Sequence, residues 1–205
     1  MLNEQRALSG FTLIEILVSL LLGSILLAMV IGLYVNSVAA GAEALKISRL
    51  RTELLSISTL MVNDLRRAGY GGSDFMVGVE GTKLIDITTT ESSHCVVYSY
   101  NYDKSLLLSS HHIMGFRYAK VTKSVQFGRH LNKDASHCFD SGSWINLNDP
   151  DFLKITALDF IEDSSSNEQE TIRSVELLIT GNLVDDDSYH HSINTKVKIR
   201  NIEIH

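Results

Sequence analysis

Residues 16–42 read ILVSLLLGSILLAMVIGLYVNSVAAGA, a run of 27 residues without a charged side chain. About 20 apolar residues suffice to cross the hydrocarbon core of a bilayer as a helix. A cleaved signal peptide is one alternative, with Ala39–Ala42 as its small-residue site, but its apolar part usually spans only about 7–15 residues. A buried core helix is the other alternative, and a helix of a soluble protein normally keeps a polar face over such a length. The run therefore predicts a membrane-spanning helix.

The residues before this run are few and mostly polar. Arg6 and the amino terminus outweigh Glu4, and this small positive bias favours a cytoplasmic N-terminus. Glu15 stands directly before the apolar run, and burying its carboxylate in lipid costs on the order of 2–3 kcal/mol or more. Glu15 is therefore either solvated at the level of the headgroups or a functional group that requires a partner.

The motif around Glu15 favours the functional alternative. Gly10-Phe11-Thr12-Leu13-Ile14-Glu15 resembles the type IV prepilin signature, in which a polar leader ends at Gly, Phe follows, and Glu stands four residues later. The resemblance implies that prepilin peptidase cleaves between Gly10 and Phe11 and that the new Phe11 amine is N-methylated. It also implies that Glu15 pairs with the Phe11 amine of a neighbouring subunit and sets the axial register. A carboxylate in the first turn is in addition favoured by the helix dipole.

The helical pattern continues beyond the apolar run. Apolar residues recur at steps of three and four and form one stripe, made of Leu50, Leu54, Ile57, Met61, Leu65 and Ala68. Gly69 and the pair Gly71-Gly72 predict the end of the helix. The chain thus divides into a cytoplasmic prepilin leader (1–10), a transmembrane helix half (11–42), an amphipathic periplasmic helix half (43–69) and a β-rich globular periplasmic domain (70–205).

The sequence at the end of this helix indicates which group of type IV pilin-like proteins the chain resembles most. Residues 63–72, NDLRRAGYGG, resemble the D-L-R-x-A-G-Y helix end of PilW-like minor pilins. The J-type pseudopilin of type II secretion is a near relative, but it does not usually carry the A-G-Y. PilW-like chains often place a cysteine just after this motif, whereas this chain has Ser73 nearby, so the family's disulfide pattern does not transfer directly. An ordinary charged helix C-terminus over Asp64–Gly72 is the alternative.

The remainder of the chain has the composition of strands joined by polar turns. Residues 96–100, 153–161 and 172–184 are rich in strand-forming side chains, and 196–200 alternate apolar with cationic residues. Ile202 and Ile204 alternate out of phase with Val197 and Ile199, which predicts a bulge at Asn201. The turn between the last two strands is predicted at 185–188. Since the helical stripe needs an apolar partner, we expect an α+β, pilin-like fold, with the long N-terminal helix packed on an antiparallel β-sheet.

Cys95 and Cys138 are the only cysteines, and the periplasm is oxidising, so we expect a disulfide between them. Each follows a Ser-His pair, and two His with two Cys could also bind zinc, but adjacent strand residues point to opposite faces. The pairs His111-His112 and His190-His191 are interpreted as exposed loop residues, and 185–187 as a solvated turn rather than a calcium loop. We therefore expect no metal site and no cofactor.

Composition excludes several function classes. The formal net charge is −6 and the sequence pI is about 5.7, which disfavours nucleic-acid binding through the whole surface. No nucleophile elbow, H-E-x-x-H, phosphate loop or recognisable pair of carboxylates occurs, so we expect no enzyme and no catalytic residue.

The resemblances instead imply a minor pilin that takes part in type IV pilus assembly from the inner membrane. Its partners would be other minor pilins, the major pilin, prepilin peptidase and the inner-membrane assembly platform. The alternatives are a type II secretion pseudopilin of the filament tip and a membrane-anchored periplasmic binding domain without a filament role.

Overall fold

The computed structural model describes residues 11–90, 93–166 and 170–204. The chain forms two compact units, which meet between Lys46 and Ile47. One α-helix, α1 (Leu13–Leu65), supplies the described helix of the first unit and continues as the first element of the second. The expected α+β, pilin-like architecture is confirmed, with the difference that the strands form two antiparallel sheets rather than one.

The first unit is an apolar helix with no internal core. Every residue from Phe11 to Lys46 is exposed in the structure, including the whole uncharged run. By length and composition, α1 is able to cross a membrane. It fits a single-pass membrane anchor that carries a C-terminal domain.

The first sheet has five strands in sequential order. They are β1 (Ile85–Thr90), β2 (Ser93–Ser99), β3 (Ile113–Ala119), β4 (Ser124–Arg129) and β5 (Ser143–Asn146). All neighbours are antiparallel, and short 3₁₀ helices at Ser110–His112 and Ala135–His137 interrupt the connections. A third 3₁₀ helix, Ser73–Phe75, follows the end of α1.

The second sheet is a long antiparallel hairpin with two further strands on one side. Its strands are β6 (Leu153–Ser166), β7 (Glu170–Leu183), β8 (His190–Lys198) and β9 (Glu203–Ile204). The predicted turn at 185–188 lies between β7 and β8, where the backbone N–H and the hydroxyl of Ser188 both donate to Asp186 Oδ1. This bonding fits the solvated turn that the acidic run predicted.

The predicted bulge at Asn201 is a longer interruption of the strand. Ser174 of β7 pairs with Lys198, Thr171 pairs with Glu203, and the Ile199 N–H still donates to the Arg173 carbonyl at 3.0 Å. Four residues, 199–202, thus lie between β8 and β9 opposite two residues of β7, so the predicted irregularity at Asn201 is present as an interruption between two strands.

The helical stripe is confirmed as the centre of the main core. Its six residues are all at most 4 % exposed, and they pack with apolar residues from both sheets. Gly181 on β7 allows a close approach, because a Cβ there would lie 2.7 Å from Leu153 Cδ1 and 3.2 Å from Leu54 Cδ2. A smaller core on the other side of the first sheet surrounds Cys95 and Cys138.

Candidate functional site

The start of α1 holds the residues that the sequence assigned to processing and assembly. Gly10, the first residue of the predicted cleavage site, lies outside the described residues. Phe11 is 82 % exposed and precedes the helix, and Glu15 lies in the first helical turn. The Thr12 hydroxyl donates a long hydrogen bond of 3.5 Å to Glu15 Oε2, and the backbone N–H of Glu15 donates to the Thr12 carbonyl at 3.1 Å.

Phe11, Glu15 and Ser19 border one shallow groove on the surface of this segment. The carboxylate of Glu15 is exposed, and no basic residue occurs between Phe11 and Ala42. The segment 11–42 therefore contains no cationic side chain that could pair with this carboxylate.

The sequence motif at the end of α1, Asp64–Gly72, is packed against the first sheet and hydrogen-bonded to it. Asp64 is 6 % exposed, accepts from the Tyr98 hydroxyl at 2.9 Å and forms an ion pair with Arg67. Tyr98 is fully buried, and burial, followed by the negative charge of Asp64, raises its pKa well above the ordinary value of 10. The guanidinium of Arg67 also lies 4.8 Å from the centre of the Tyr100 ring. Asp64 thus links the helix to strand β2 through a neutral, buried phenol.

Gly69 turns the chain away from the helix. Its φ of +73° belongs to the left-handed region, where glycine is favoured, and a Cβ would lie 2.1 Å from Leu84 Cδ2. Its N–H donates to the Ser99 carbonyl at 2.8 Å, while the Asn101 N–H donates to the Tyr70 carbonyl at 2.6 Å.

The last turns of a helix leave carbonyl groups without intrahelical partners, and the segment between β8 and β9 supplies two hydrogen-bond donors for them. The Arg200 N–H donates to the Arg66 carbonyl at 3.2 Å, and Asn201 Nδ2 donates to the Ala68 carbonyl at 2.6 Å.

Sequence reasoning identified Asp64 and Gly69, but it placed Tyr98 only in a strand and Asn201 only at a bulge, and it missed their bonds to the end of the helix. No local signal points to these bonds, because the partners lie 34 and 133 positions away.

Cys95 and Cys138 form a disulfide, with their Cα atoms 6.6 Å apart. Both sulfur atoms are used in this bond, which excludes the alternative of a zinc site built from the two Ser-His-Cys tripeptides. His94 instead lies 3.1 Å from Asp159, between its Nδ1 and the carboxylate Oδ1, and His137 is exposed.

The interpretation of the two histidine pairs as exposed loop residues is wrong for His112, which is completely buried at the end of a 3₁₀ helix. His190 and His191 begin strand β8 instead of lying in a loop, and of these two His190 is exposed. Only His111 of the first pair is exposed. Both rings of that pair lie close to Asp103, whose pKa is lowered by hydrogen bonds first from Ser105 and then from His112.

Two family models match the sequence. The model described as prepilin peptidase-dependent protein B matches residues 43–199, and the model of the prokaryotic N-terminal methylation motif matches residues 6–31. The second match covers the junction at Phe11 and the residue Glu15. The first covers the helical stripe, the disulfide and every strand of both sheets except β9. No curated protein and no solved structure gives a significant match.

Proposed function

We propose, from the premise that this chain belongs to the prepilin peptidase-dependent protein B family, that it is a minor pilin that primes or takes part in type IV pilus assembly. The chain is a prepilin-like protein of the type IV pilin family and a substrate of prepilin peptidase. Membership implies partners in a pilus system, namely the peptidase and other pilins.

In this proposal, prepilin peptidase cuts between Gly10 and Phe11 and the Phe11 amine is methylated. The match to the methylation motif over residues 6–31 supports this site. Residues 11–42 act as the transmembrane half and 43–69 as the amphipathic half of the helix. The leader faces the cytoplasm, because Arg6 and the terminal amine give it a small positive bias, and the domain 70–205 faces the periplasm.

The single observation that carries the proposal is the carboxylate of Glu15, which is the only charged side chain between Phe11 and Ala42 and stands at the start of an exposed apolar segment of α1. An unpaired carboxylate and an unpaired amine are each costly in a water-poor environment, and a pair of them largely removes that cost. Lateral packing of such helices brings the Phe11 amine of one subunit to Glu15 of the next. The partners of this helix are then other pilins, which include the major pilin, and the inner-membrane assembly platform.

Intact-mass analysis of the protein from its native host tests the processing step. The expected species lacks residues 1–10 and carries one methyl group, about 14 Da, on its new terminus at Phe11. A mature protein that still begins at Met1, in a host that assembles pili, would contradict the proposal.

Glu15→Gln tests the assembly step, because it keeps the shape of the side chain and removes its charge. The variant should stay in the membrane fraction, and its copurification with other pilins and the number of surface pili should fall to the level of a gene deletion. Ser19→Ala is the matched control: it alters the same groove one turn further on by removing only the bond from Ser19 Oγ to the Glu15 carbonyl. A Glu15→Gln protein that assembles normally would favour a membrane-anchored domain without a filament role.

We prefer a type IV pilus over a type II secretion filament because the sequence Ala68-Gly69-Tyr70 resembles the helix end of PilW-like minor pilins. The geometry of Gly69 is compatible with either filament, so it does not decide between them. Deletion of the gene separates the two, with loss of surface pili expected. Loss of exoprotein secretion with normal piliation would assign the chain to the secretion system instead.

A further inference from the structure

Asp103, His111 and His112 form a cluster that the proposed function does not use. The two histidines are adjacent in the 3₁₀ helix Ser110–His112, and Asp103 lies in the preceding loop. One ligand atom from each of the three residues lies within 4.8 Å of the other two. Adjacent residues of a 3₁₀ helix point about 120° apart. The convergence of both rings on one carboxylate therefore needs additional contacts.

Ser109 supplies these contacts. Its hydroxyl oxygen lies 2.7 Å from Nδ1 of His111 and 3.1 Å from Nδ1 of His112. The Nε2 atoms face Asp103, with His112 Nε2 at 2.9 Å from Oδ1 and His111 Nε2 at 3.6 Å from Oδ2. The Ser109 hydroxyl also lies 3.1 Å from Nε2 of His111, so it contacts both nitrogens of that ring. In a metal site one ring nitrogen binds the ion while the other N–H donates to a polar group, and the Ser109 hydroxyl is placed to accept from Nδ1 of either ring.

We propose that Asp103, His111 and His112 bind a divalent transition-metal ion such as Zn²⁺, Ni²⁺ or Cu²⁺. Two imidazole nitrogens and one carboxylate oxygen suit these ions, whereas Ca²⁺ and Mg²⁺ prefer sites built of oxygen alone. In a tetrahedral zinc site with bonds near 2.0–2.1 Å, donor atoms lie about 3.3 Å apart. The two histidine–aspartate separations of 2.9 and 3.6 Å lie on either side of that value, and all three ligand atoms lie within 4.8 Å of one another, so side-chain rotations are sufficient to form the site.

The cluster combines a rigid ligand with access from solvent. The His112 side chain is fully buried and packs against the rings of Phe75 and Tyr102, at centroid distances of 5.1 and 5.3 Å. The side chains of His111 and Asp103 are 44 % and 36 % exposed. His111 also borders a cavity of about 320 Å³ with Tyr102, Arg129 and His130. An ion can therefore reach the site from this side and keep water in its remaining positions.

Metal binding requires a change of tautomer at His112. The Ser109 N–H donates to Nδ1 of His112 at 3.1 Å, which places the proton of the neutral ring on Nε2. An ion on Nε2 moves that proton to Nδ1, where the Ser109 hydroxyl can accept it. The Ser109 N–H then loses its acceptor. This loss lowers the affinity relative to a site that is already in the right tautomer.

Titration of the full chain, purified in detergent without a histidine tag, with ZnCl₂ tests the proposal. Calorimetry should give one Zn²⁺ per chain, and Co²⁺ should give the visible absorption of a low-coordinate site. His111→Ala should weaken binding by about 10-fold or more. His190→Ala, which removes an exposed histidine elsewhere, should leave binding unchanged.

Asp103→Asn provides a second variant that preserves shape, and it too should lose the Co²⁺ absorption. Circular dichroism of each variant confirms that it is folded. An absence of one-to-one binding by the unaltered chain, or equal Zn²⁺ affinity of His111→Ala and His190→Ala, would overturn the proposal.

A third variant, Arg129→Ala, tests whether the bound ion is a cation. It should strengthen Zn²⁺ binding, because it removes a cation from the same cavity, whereas weaker binding would contradict a cation site.

Discussion

The two halves of α1 share one secondary structure and differ in what surrounds them. Between Leu13 and Lys46 every side chain is exposed, although most of them are apolar. Between Leu50 and Leu65 one stripe of apolar residues is almost completely buried by the two sheets, whereas Leu55 and Leu60 outside that stripe are exposed. A periodic apolar stripe is a surface for the chain's own core, whereas an uninterrupted apolar segment needs lipid or other subunits. Substitutions at matched positions along the helix test this distinction.

The largest effect is expected in the buried half. Leu54→Ala removes a side chain that is 0 % exposed and leaves a cavity, which should lower the free energy of unfolding by about 2–5 kcal/mol. The neighbouring Leu55 is 58 % exposed, so Leu55→Ala should change it by less than about 0.5 kcal/mol. Denaturant unfolding of the full chain in detergent measures both. Equal effects of the two substitutions would contradict the assigned stripe.

The next effect concerns the uncharged half and should appear in membrane integration instead of stability. Leu27→Arg places a cation near the middle of the uncharged run, at a cost of about 2.5–3.5 kcal/mol for insertion into a bilayer. The fraction of protein that resists carbonate extraction should fall, while the unfolding of the globular domain in detergent stays unchanged. Leu45→Arg lies beyond the run and should integrate normally. A loss of domain stability in Leu27→Arg would remove the distinction between the halves.

A smaller effect is expected where the helix ends. Tyr98→Phe leaves the buried carboxylate of Asp64 with Arg67 but without its phenol donor, which should cost about 1–3 kcal/mol. Tyr70→Phe is the control, because Tyr70 belongs to the same motif and is 63 % exposed. A Tyr98→Phe protein as stable as the control would show that this hydrogen bond adds nothing.

The same phenol gives stability a defined dependence on pH. Burial raises the pKa of folded Tyr98 well above 10, whereas the unfolded side chain titrates near 10. The stabilisation is therefore fully present below about pH 10 and is lost as the pH rises from there toward the folded pKa. The unfolding free energy of Tyr98→Phe should fall less steeply above pH 10 than that of Tyr70→Phe. Parallel pH profiles would contradict this assignment.

The smallest effect on the free energy of unfolding is expected for an exposed residue of the helix half that packs against the sheets. Arg49 forms an ion pair with Asp149 at 2.8 Å and lies 3.8 Å from the centre of the Phe152 ring, but its side chain is 54 % exposed. Arg49→Ala should cost about 0.5–1 kcal/mol, and the difference should shrink in high salt. Arg51→Ala, at an exposed neighbouring position, should have a smaller effect. Thermal unfolding at two salt concentrations measures both, and a salt-independent loss would assign the effect to the ring contact.

Features with a short repeat could be predicted from the sequence. All six residues of the stripe are buried, because the steps of three and four along 50–68 match the helical period. The strands of the second sheet were predicted from their β-branched and apolar residues. The helix was expected to reach Gly69, but α1 ends at Leu65 and turns follow to Gly69. The glycine marks where the chain reverses, which is a few residues beyond the last α-helical bond.

Features that depend on distant partners could not be predicted. The first sheet contains the short strands β3, β4 and β5, which were not predicted from the sequence. The burial of His112 results from contacts with Phe75, Tyr102 and Asp103, none of which is adjacent in the sequence. The motif at the start of the helix, Gly10–Glu15, could be identified from the sequence, because its residues are adjacent and no distant partner is needed to recognise it.

The hydrogen bond from Asn201 to the Ala68 carbonyl has a consequence for the timing of folding. A ribosome completes Ala68 before it has made the remaining 133 residues that lead to Asn201. The end of the helix is therefore synthesised long before the side chain that completes its hydrogen bonding. This bond can form only after the chain has been made through Asn201, so the helix end reaches its final set of contacts late in synthesis.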